Sequence, residues 1–375
     1  METREVLTRQ DWNLFFETPF GIFKNDPYWV PPLLMEQRRA LDRNKNPYFG
    51  HCTYKAWLIL DGKEALGRIL AYIDPSYNEL YQEQAGFLGF FESLDDPAVS
   101  SALFDKALEW LRQHGLNRVY GPMNFSIANE CGILLTGFDS PPFMQMNHTP
   151  PYYRYLFEQA GFSKAHDLYA YLMTEELVKQ NWALLQRMQR ISEKTLQKEG
   201  VRFRTVNLKN YHAELANINT LFNDFMKDTW GFVPSSLEEM YYVGETLKQI
   251  VDPEMIFFAE IKDKVVGCSL SIPDINTILI HMKGRLDLPG ILKWFYYKRK
   301  IKSFRLLMLG VTEEYRRKGL DILFYYYTIQ KGLERGYTKS ELSWISEDNA
   351  VLISIVEKIG AIRYKTYRIY EKSIC

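Results

Sequence analysis

Cysteine is scarce in this sequence. The four present, Cys52, Cys131, Cys268 and Cys375, lie far apart and never form a C-x-x-C pair. That spacing suggests neither a disulfide framework nor a zinc site, and a reducing compartment is expected. Histidine is nearly as scarce: His51, His114, His148, His166, His212 and His281 show no metal-ligand spacing, so no metal is assigned. No segment reaches the roughly eighteen apolar residues that a membrane span needs. The first ten residues are charged and mixed, with none of the apolar core of a signal peptide. Net charge is lacking too, because 46 Lys and Arg balance 46 Asp and Glu. No global field draws nucleic acid or an anionic membrane, so no nucleic-acid partner is expected and any such contact is local. These absences predict a cytoplasmic protein.

Apolar residues, at 46%, and charged residues, at 25%, are ordinary for a globular chain, and a length of 375 residues favours two domains over one. Aromatics stand out at 15%, which fits an aromatic core, Tyr-lined surfaces, or a groove for a partly apolar ligand. Residues 1–50, with the cluster Asp26-Pro27-Tyr28-Trp29-Val30-Pro31-Pro32, read as an extended arm held by its aromatic side chains. From His51 the pattern sharpens into a hairpin across Asp61-Gly62-Lys63, a strand at Ala85–Phe91, a helix from Pro97 to His114 and a short strand at Asn117–Tyr120. A long loop rich in Gly and Pro follows, from Gly121 to Pro142. Loops of this length in compact domains often bind ligands. A short helix and a strand close this half, giving a first unit over 51–174. A helical run over 175–200 links it to a second unit over 201–375. That unit again holds a hairpin, a strand, a helix, a strand, a short helix ended by Gly360 and a last strand. The shared plan predicts a diverged internal duplication.

The stretch from Leu306 to Tyr325 organises the second unit. Leu306-Leu307-Met308-Leu309-Gly310-Val311 reads as a buried strand, Arg316-Arg317-Lys318-Gly319 as a cationic turn, and Leu320 onward as a helix. A strand that feeds a helix through such a turn leaves the first helical amides unpaired. With the helix dipole and three cations, that makes an anion site suited to phosphate or pyrophosphate. The equivalent turn of the first unit, Glu92-Ser93-Leu94-Asp95-Asp96-Pro97, has three acids, no cation and no glycine, and disfavours an anion.

On this strand order and turn, the chain resembles the GNAT superfamily of acyl-CoA-dependent N-acyltransferases, well over about 200–372 and more weakly over 51–172. The family's signature, Gln or Arg, two residues, Gly, one residue, then Gly or Ala, falls on Arg316, Gly319 and Asp321. The resemblance implies an α/β (α+β) fold of two GNAT-like lobes, each a mixed, mostly antiparallel twisted sheet flanked by helices. It implies acyl-CoA or acetyl-CoA as donor, bound by Arg316, Arg317, Lys318, Gly319 and Leu320, and by main-chain groups of the strand before them, including Leu309 and Val311. It also implies a cofactor contact from Asn349. Asp321 departs from the pattern, since a carboxylate there repels a pyrophosphate unless it turns outward to assist the helix dipole. As a whole chain it also resembles an uncharacterised bacterial group, some of whose members are similar to sphingoid-amine N-acyltransferases.

Acyl transfer to an amine needs a positioned base and an acid for the departing thiolate. Glu341, on the strand after the signature helix, and Glu130, in the long loop of the first unit, are the base candidates, with Glu347 and Asn129 beside them. Tyr364 is the acid candidate, and Tyr367 its alternative. The segment from His281 to Arg305 sets eight cations against the single acid Asp287 and interleaves Leu292, Trp294, Phe295, Tyr296 and Tyr297. Over 289–305 this is the composition of a peripheral membrane contact, or of a helix lying over the acceptor site. The expected acceptor is a small-molecule or lipid-like amine. A GNAT-fold binding module without turnover, and a Fem-like or lipid-directed transferase with another donor or acceptor, stay open as alternatives.

Overall fold

In a computed structural model that describes residues 1–198 and 200–374, the first fifty residues are largely helical rather than extended. Glu199 and Cys375 lie outside the described residues. After a short edge strand, β1 (Glu2–Glu5), the Thr8 hydroxyl and the Asp11 carboxylate cap each other's backbone amides and start helix α1 (Arg9–Ile22). That box was legible in the sequence but was hidden by the neighbouring Pro-aromatic cluster. A second helix, α2 (Leu34–Ala40), follows.

The first half then runs β2 (Thr53–Asp61), β3 (Glu64–Ile73), α3 (Pro75–Tyr81), β4 (Ala85–Ser93), α4 (Pro97–Gln113), β5 (Arg118–Gly121), β6 (Ile133–Thr136), α5 (Tyr152–Gln159) and β7 (Ser163–Thr174). Side chains alternate across β2 and β3 with period two. Leu58, Leu60, Leu70 and Tyr72 meet Phe15 and Phe16 of α1 on one face, while Trp57, Ile59, Ile69 and Ala71 meet Leu103 and Phe104 of α4 on the other. The linking run is two helices, α6 (Glu175–Gln180) and α7 (Trp182–Lys198), parted at Asn181. The second half contains β8 (Arg202–Thr205), α8 (Tyr211–Met226), α9 (Leu237–Leu247), β9 (Ile256–Ile261), β10 (Lys264–Pro273), α10 (Asn276–Met282), α11 (Leu288–Lys298), β11 (Ser303–Val311), α12 (Leu320–Glu334), β12 (Lys339–Ser346), α13 (Ala350–Lys358) and β13 (Ile362–Ser373). Its hairpin repeats the same logic: Phe257 and Ala259 face α12, and Ile256 and Phe258 face α8.

Both halves share one sheet, ordered β1-β2-β3-β4-β5-β13-β7-β12-β11-β10-β9-β8, with β6 beside β13. The closing strand of each half is exchanged: β7 pairs with β12, and β13 lies between β5 and β7. Within this order β4–β5 and β11–β12 are parallel, and the other pairs are antiparallel. The fold is α/β, two lobes of mixed, mostly antiparallel sheet with helices on their faces. The exchange brings residues of both halves to the middle of the sheet.

Candidate active site

The two parallel strands of the second half stay paired only from Ser303 and Lys339 to Leu306 and Leu342. Each then takes an extra residue. Against β10, Met308 and Leu306 sit opposite Leu270 and Ser271, which leaves Leu307 as a bulge. Against β7, Leu342 and Ile345 sit opposite Tyr171 and Tyr169, so Ser343 and Trp344 bulge together. Bulges bend a strand away from its neighbour, and two of them at the same level part β11 from β12. The edge of β11 from Leu307 to Val311, including Leu309, is left without a strand partner on that side among the described residues.

That edge leads to the cationic turn. A single 3-10 turn, Glu313–Tyr315, is followed by left-handed backbone at Arg317 (φ 62°) and Gly319 (φ 88°). Gly319 is the N-cap of α12 and has no side chain to close it, so the amides of Leu320 and its successors keep the orphan donors of a helix start. Gly319 also suits a close approach: a Cβ there would sit 2.8 Å from Thr195 Oγ1 on α7. Arg316, Arg317 and Lys318 are exposed, and none makes an ion pair among the described residues. Arg316 Nε reaches the Val311 carbonyl at 3.3 Å, and Lys318 lies over the Tyr315 ring at 4.7 Å. Asp321 is half-buried in the first turn of α12, and its charge raises the Tyr325 hydroxyl pKa further above the shift that burial causes. Asn349 caps α13 by accepting from the Leu352 amide at 3.0 Å.

The first half shows the same parting of strands, but closed. Pairing of β4 with β5 ends at Phe87 and Tyr120. Beyond it the long loop lies on the β4 edge: the Met123 amide donates to the Leu88 carbonyl at 2.7 Å, and the Asn124 side chain accepts from the Phe90 amide at 2.8 Å. The helix that follows is closed too, because Asp96 accepts from the Ala98 amide and Pro97 carries no N–H. One lobe therefore presents an open edge and an uncapped helix, and the other fills both from its own chain.

At the vertex of the open cleft lies a buried polar cluster. Glu341 and Arg305 face each other across β11 and β12, with Arg305 Nε and Glu341 Oε1 3.7 Å apart and both side chains essentially buried. Ser343 Oγ accepts from Arg305 Nε at 2.8 Å and donates to Glu341 at 2.6 Å. The remaining guanidinium nitrogens donate to the carbonyls of Met144, Gln145 and Ser343. Tyr364, the extra residue of a third bulge where Arg363 and Lys365 oppose Tyr171 and Ala170, donates to Glu341. Burial raises the Glu341 carboxyl against the pull of Arg305, and burial with the Glu341 charge holds the Tyr364 phenol protonated far above its ordinary range. Lys365 is buried against the carbonyls of Gly137 and Ser140, and desolvation lowers it to about 8. Asp274, at the root of α10, accepts from Ser303 Oγ and the Met144 amide, and burial raises it to about 7.

The first half approaches this vertex through its long loop. The Trp344 indole donates to the Asn129 carbonyl at 3.3 Å. Next to it, Glu130 accepts from the Asn124 amide group at 3.2 Å. Its side chain is exposed, and desolvation by the protein around it, with the charge of Glu92, raises its pKa to about 7 against the opposing pull of Asn124, Arg68 and Arg305. Glu92 pairs with the buried Arg68 at 2.5 Å. Phe90 (φ 48°), Phe125 (φ 77°) and Gln145 (φ 61°) hold left-handed backbone around this cluster. Non-glycine residues adopt that conformation rarely, and often at functional sites.

The fold thus gathers Glu341, Tyr364 and Glu130 at one vertex and places Arg316, Arg317, Lys318, Gly319 and Leu320 at the far end of the β11 edge. Glu347 is held elsewhere, by Lys164 at 2.6 Å and the Asp167 amide, and the buried Tyr367 hydroxyl has no partner among the described residues. Sequence reasoning grouped Arg305 with the basic surface segment, but the side chain is 2% exposed and belongs to the vertex. It also passed over Ser343, Asp274 and Lys365. The available signal was a lone charge inside an apolar strand, as in Phe304-Arg305-Leu306, since such a charge is either an edge or a paired buried group. Among the described residues, His51, Cys52 and Asp74 are the one group of potential metal ligands within 4.8 Å of one another. Both Asp74 oxygens are already engaged, by the Ser76 and Tyr77 amides and by the Tyr48 hydroxyl.

No family model matches the chain. It is 33% identical to the bacterial ceramide synthase of Caulobacter vibrioides (strain NA1000 / CB15N), over 98% of this chain and 96% of that protein. It is 32% identical to the protein YghO of Escherichia coli (strain K12), over 99% and 95%. Among solved structures, a tandem GNAT protein from the clavulanic acid biosynthesis pathway superposes with a TM-score of 0.59 over 100% of this chain and 99% of that one, at 12% identity. A GCN5-related N-acetyltransferase from Sphaerobacter thermophilus gives 0.52 over 100% and 95%, at 14% identity. The fold is that of a tandem GNAT protein, and the full-length identity shows that the chain belongs to the N-acyltransferase family that includes the Caulobacter bacterial ceramide synthase.

Proposed function

We propose that this N-acyltransferase takes its acyl group from acyl-CoA and delivers it to the amine of a lipid-like acceptor, a long-chain amino alcohol of the sphingoid type. The observation that carries the donor is the open β11 edge running into an uncapped helix start ringed by Arg316, Arg317 and Lys318. An amide-containing arm pairs with the edge, and a pyrophosphate meets the orphan amides. Asp321, half-buried in the first helical turn, carries a negative charge that assists the dipole. The acceptor class follows the name of the Caulobacter relative, with the half-buried Trp344 and Tyr364 supplying aromatic surface at the vertex.

In this reading Glu130 is the base. It is accessible, and its pKa of about 7 is matched to taking a proton from an ammonium at neutral pH. Once that proton is gone, the amine attacks the thioester carbonyl, a C–N bond forms and the C–S bond breaks. As the amide forms, its nitrogen sheds a second proton, which passes through the Tyr364 hydroxyl to the departing thiolate in one relay, so that the phenol, held protonated by its surroundings, is never left as a phenolate. Glu341 is wholly enclosed, so it serves by positioning Tyr364 and Arg305 rather than by meeting substrate. Asn349 and the main-chain groups of Leu309 and Val311 line the cofactor path. The protein works on the cytoplasmic side, in peripheral contact with a membrane through the exposed part of residues 289–305, which ends at Lys302.

Thermal shift with CoA, acetyl-CoA and a long-chain acyl-CoA, run beside Arg316→Glu, tests the donor. A ligand stabilises only a fold that binds it, so CoA compounds are expected to raise the melting temperature of the natural protein and not of the variant. Indifference of both proteins to all three ligands overturns the donor assignment.

A further inference from the structure

Helix α11 divides its side chains sharply. Gly290, Trp294 and Tyr297 turn inward, where Trp294, Tyr297 and Ile301 pack on Ile278, Leu279 and Met282 of α10. Leu288, Leu292 and Phe295, spaced i, i+4, i+7, form a second stripe that faces away from the protein at 72%, 64% and 67% exposure. Leu286, Ile291 and Tyr296 widen it. An apolar stripe of this kind on the outside of a helix is solvated at a cost, and in isolated apolar contacts a single Leu needs no explanation, but a contiguous set does.

The charge around the stripe has one sign. From Lys283 to Lys302 there are seven cations and one acid, a net of +6 in a chain whose total is zero. The acid, Asp287, is used as the N-cap of α11 through the Gly290 amide at 2.9 Å. Lys283, Arg285, Lys298, Arg299 and Lys302 make no ion pair among the described residues. A surface of exposed Leu and Phe rimmed by unpaired Lys and Arg complements an anionic bilayer, where acyl chains take the apolar stripe and headgroup phosphates take the cations. A second copy of the chain would place the same excess of positive charge on both sides of the contact.

The placement ties this surface to the cleft. Arg299–Lys302 connect α11 directly to β11, and Arg305 lies two residues beyond its first residue. The turn that holds the cations for phosphate is at the opposite end of the same strand. Asp274 fixes the root of the insert to the vertex through Ser303.

We propose that α11 docks this protein on an anionic membrane surface with Leu288, Leu292 and Phe295 inserted among the acyl chains and the surrounding Lys and Arg on the phosphates, so that a membrane-borne acceptor enters the cleft from the vertex side. The docking is independent of the acyl-CoA assignment, while the entry route rests on it.

Flotation of the full chain with vesicles of phosphatidylglycerol and phosphatidylcholine, against phosphatidylcholine alone, tests the docking. The expected result is binding at least tenfold stronger to the anionic vesicles, weakened by 0.5 M salt, and reduced tenfold or more in Leu292→Glu/Phe295→Glu. Both positions are exposed, so the melting temperature of that variant should match the natural protein, and so should its release of free thiol from acyl-CoA with a short, water-soluble amine. Absence of binding to anionic vesicles, equal binding to neutral ones, or a concentration-dependent dimer that the same substitutions abolish overturns the docking. Vesicle binding without thiol release from acyl-CoA with any amine leaves the docking standing and overturns the acyl-CoA donor assignment, and with it the entry route.

Discussion

Arg305 Nε and Glu341 Oε1 lie 3.7 Å apart with both side chains out of reach of solvent, and a single hydroxyl, that of Ser343, bonds to each. The pair lies one register position before Leu306 and Leu342, the last paired residues of two strands that then diverge. Desolvation opposes both charges, lowering Arg305 and raising Glu341, and their mutual attraction offsets part of that. Removing one partner leaves the other buried without compensation, which typically costs about 3–5 kcal/mol. Arg305→Met is expected to lose about that much in urea unfolding, and Arg305→Met/Glu341→Leu to recover most of it. If the double variant is no more stable than the single one, the pair does not act as a unit.

The base assignment has a pH signature. Desolvation by the surrounding protein and the neighbouring Glu92 charge raise the Glu130 pKa to about 7. A base works in its ionised form, so kcat/KM should rise as pH increases through about 7 and level off above it. Glu130→Gln should remove that limb and lower kcat by a factor of about 10²–10⁴. Glu92→Gln withdraws a negative charge, which favours ionisation of Glu130, so the limb should move to lower pH with the plateau kept. A rate profile in Glu130→Gln that still rises through neutrality would assign the base elsewhere.

How much of this was readable from the chain depends on what each feature rests on. Strands and helices with clean periodicity were legible because their signal is local: the β2–β3 hairpin, α4 behind Pro97, and the β11 strand with its turn and helix. The asymmetry of the two turns was legible because it is a matter of residue type, glycine and cations against Asp96 and Pro97. The vertex was not. Arg305, Glu341 and Tyr364 come from three strands, one of them carried across by the exchange of β7 and β13, and no local pattern announces that exchange. The bulges at Leu307, Ser343 and Tyr364 turn side chains against the simple alternation, so faces assigned by counting are wrong beyond them. The outward turn of Phe295 beside the inward turn of Trp294 is likewise a matter of which helix face meets α10, and composition treats the two alike.

Gly319 gives the sharpest test of the phosphate turn. Its left-handed φ of 88° is strained for any L side chain, and a Cβ would also meet Thr195 Oγ1 at 2.8 Å. Two separable penalties therefore apply to Gly319→Ala. The backbone term, which Ala carries wherever φ is positive, costs about 1 kcal/mol; the contact with α7 adds to it by an amount set by how far α7 yields. Thr195→Ala removes the hydroxyl, the nearest atom, while the next Thr195 atom lies at 4.0 Å. The double variant Gly319→Ala/Thr195→Ala should thus regain the contact part of the lost stability and keep the backbone part, as measured by urea unfolding. Ligand binding should not follow the same pattern. A methyl at the mouth of the helix start stands between the orphan amides and an incoming phosphate whether or not α7 has made room. CoA-induced stabilisation is therefore expected to fall at least tenfold in apparent affinity in both variants. Recovery of CoA binding in the double variant would mean that α12 is only displaced in the single one, and that the amides of its first turn are not the seat of the phosphate.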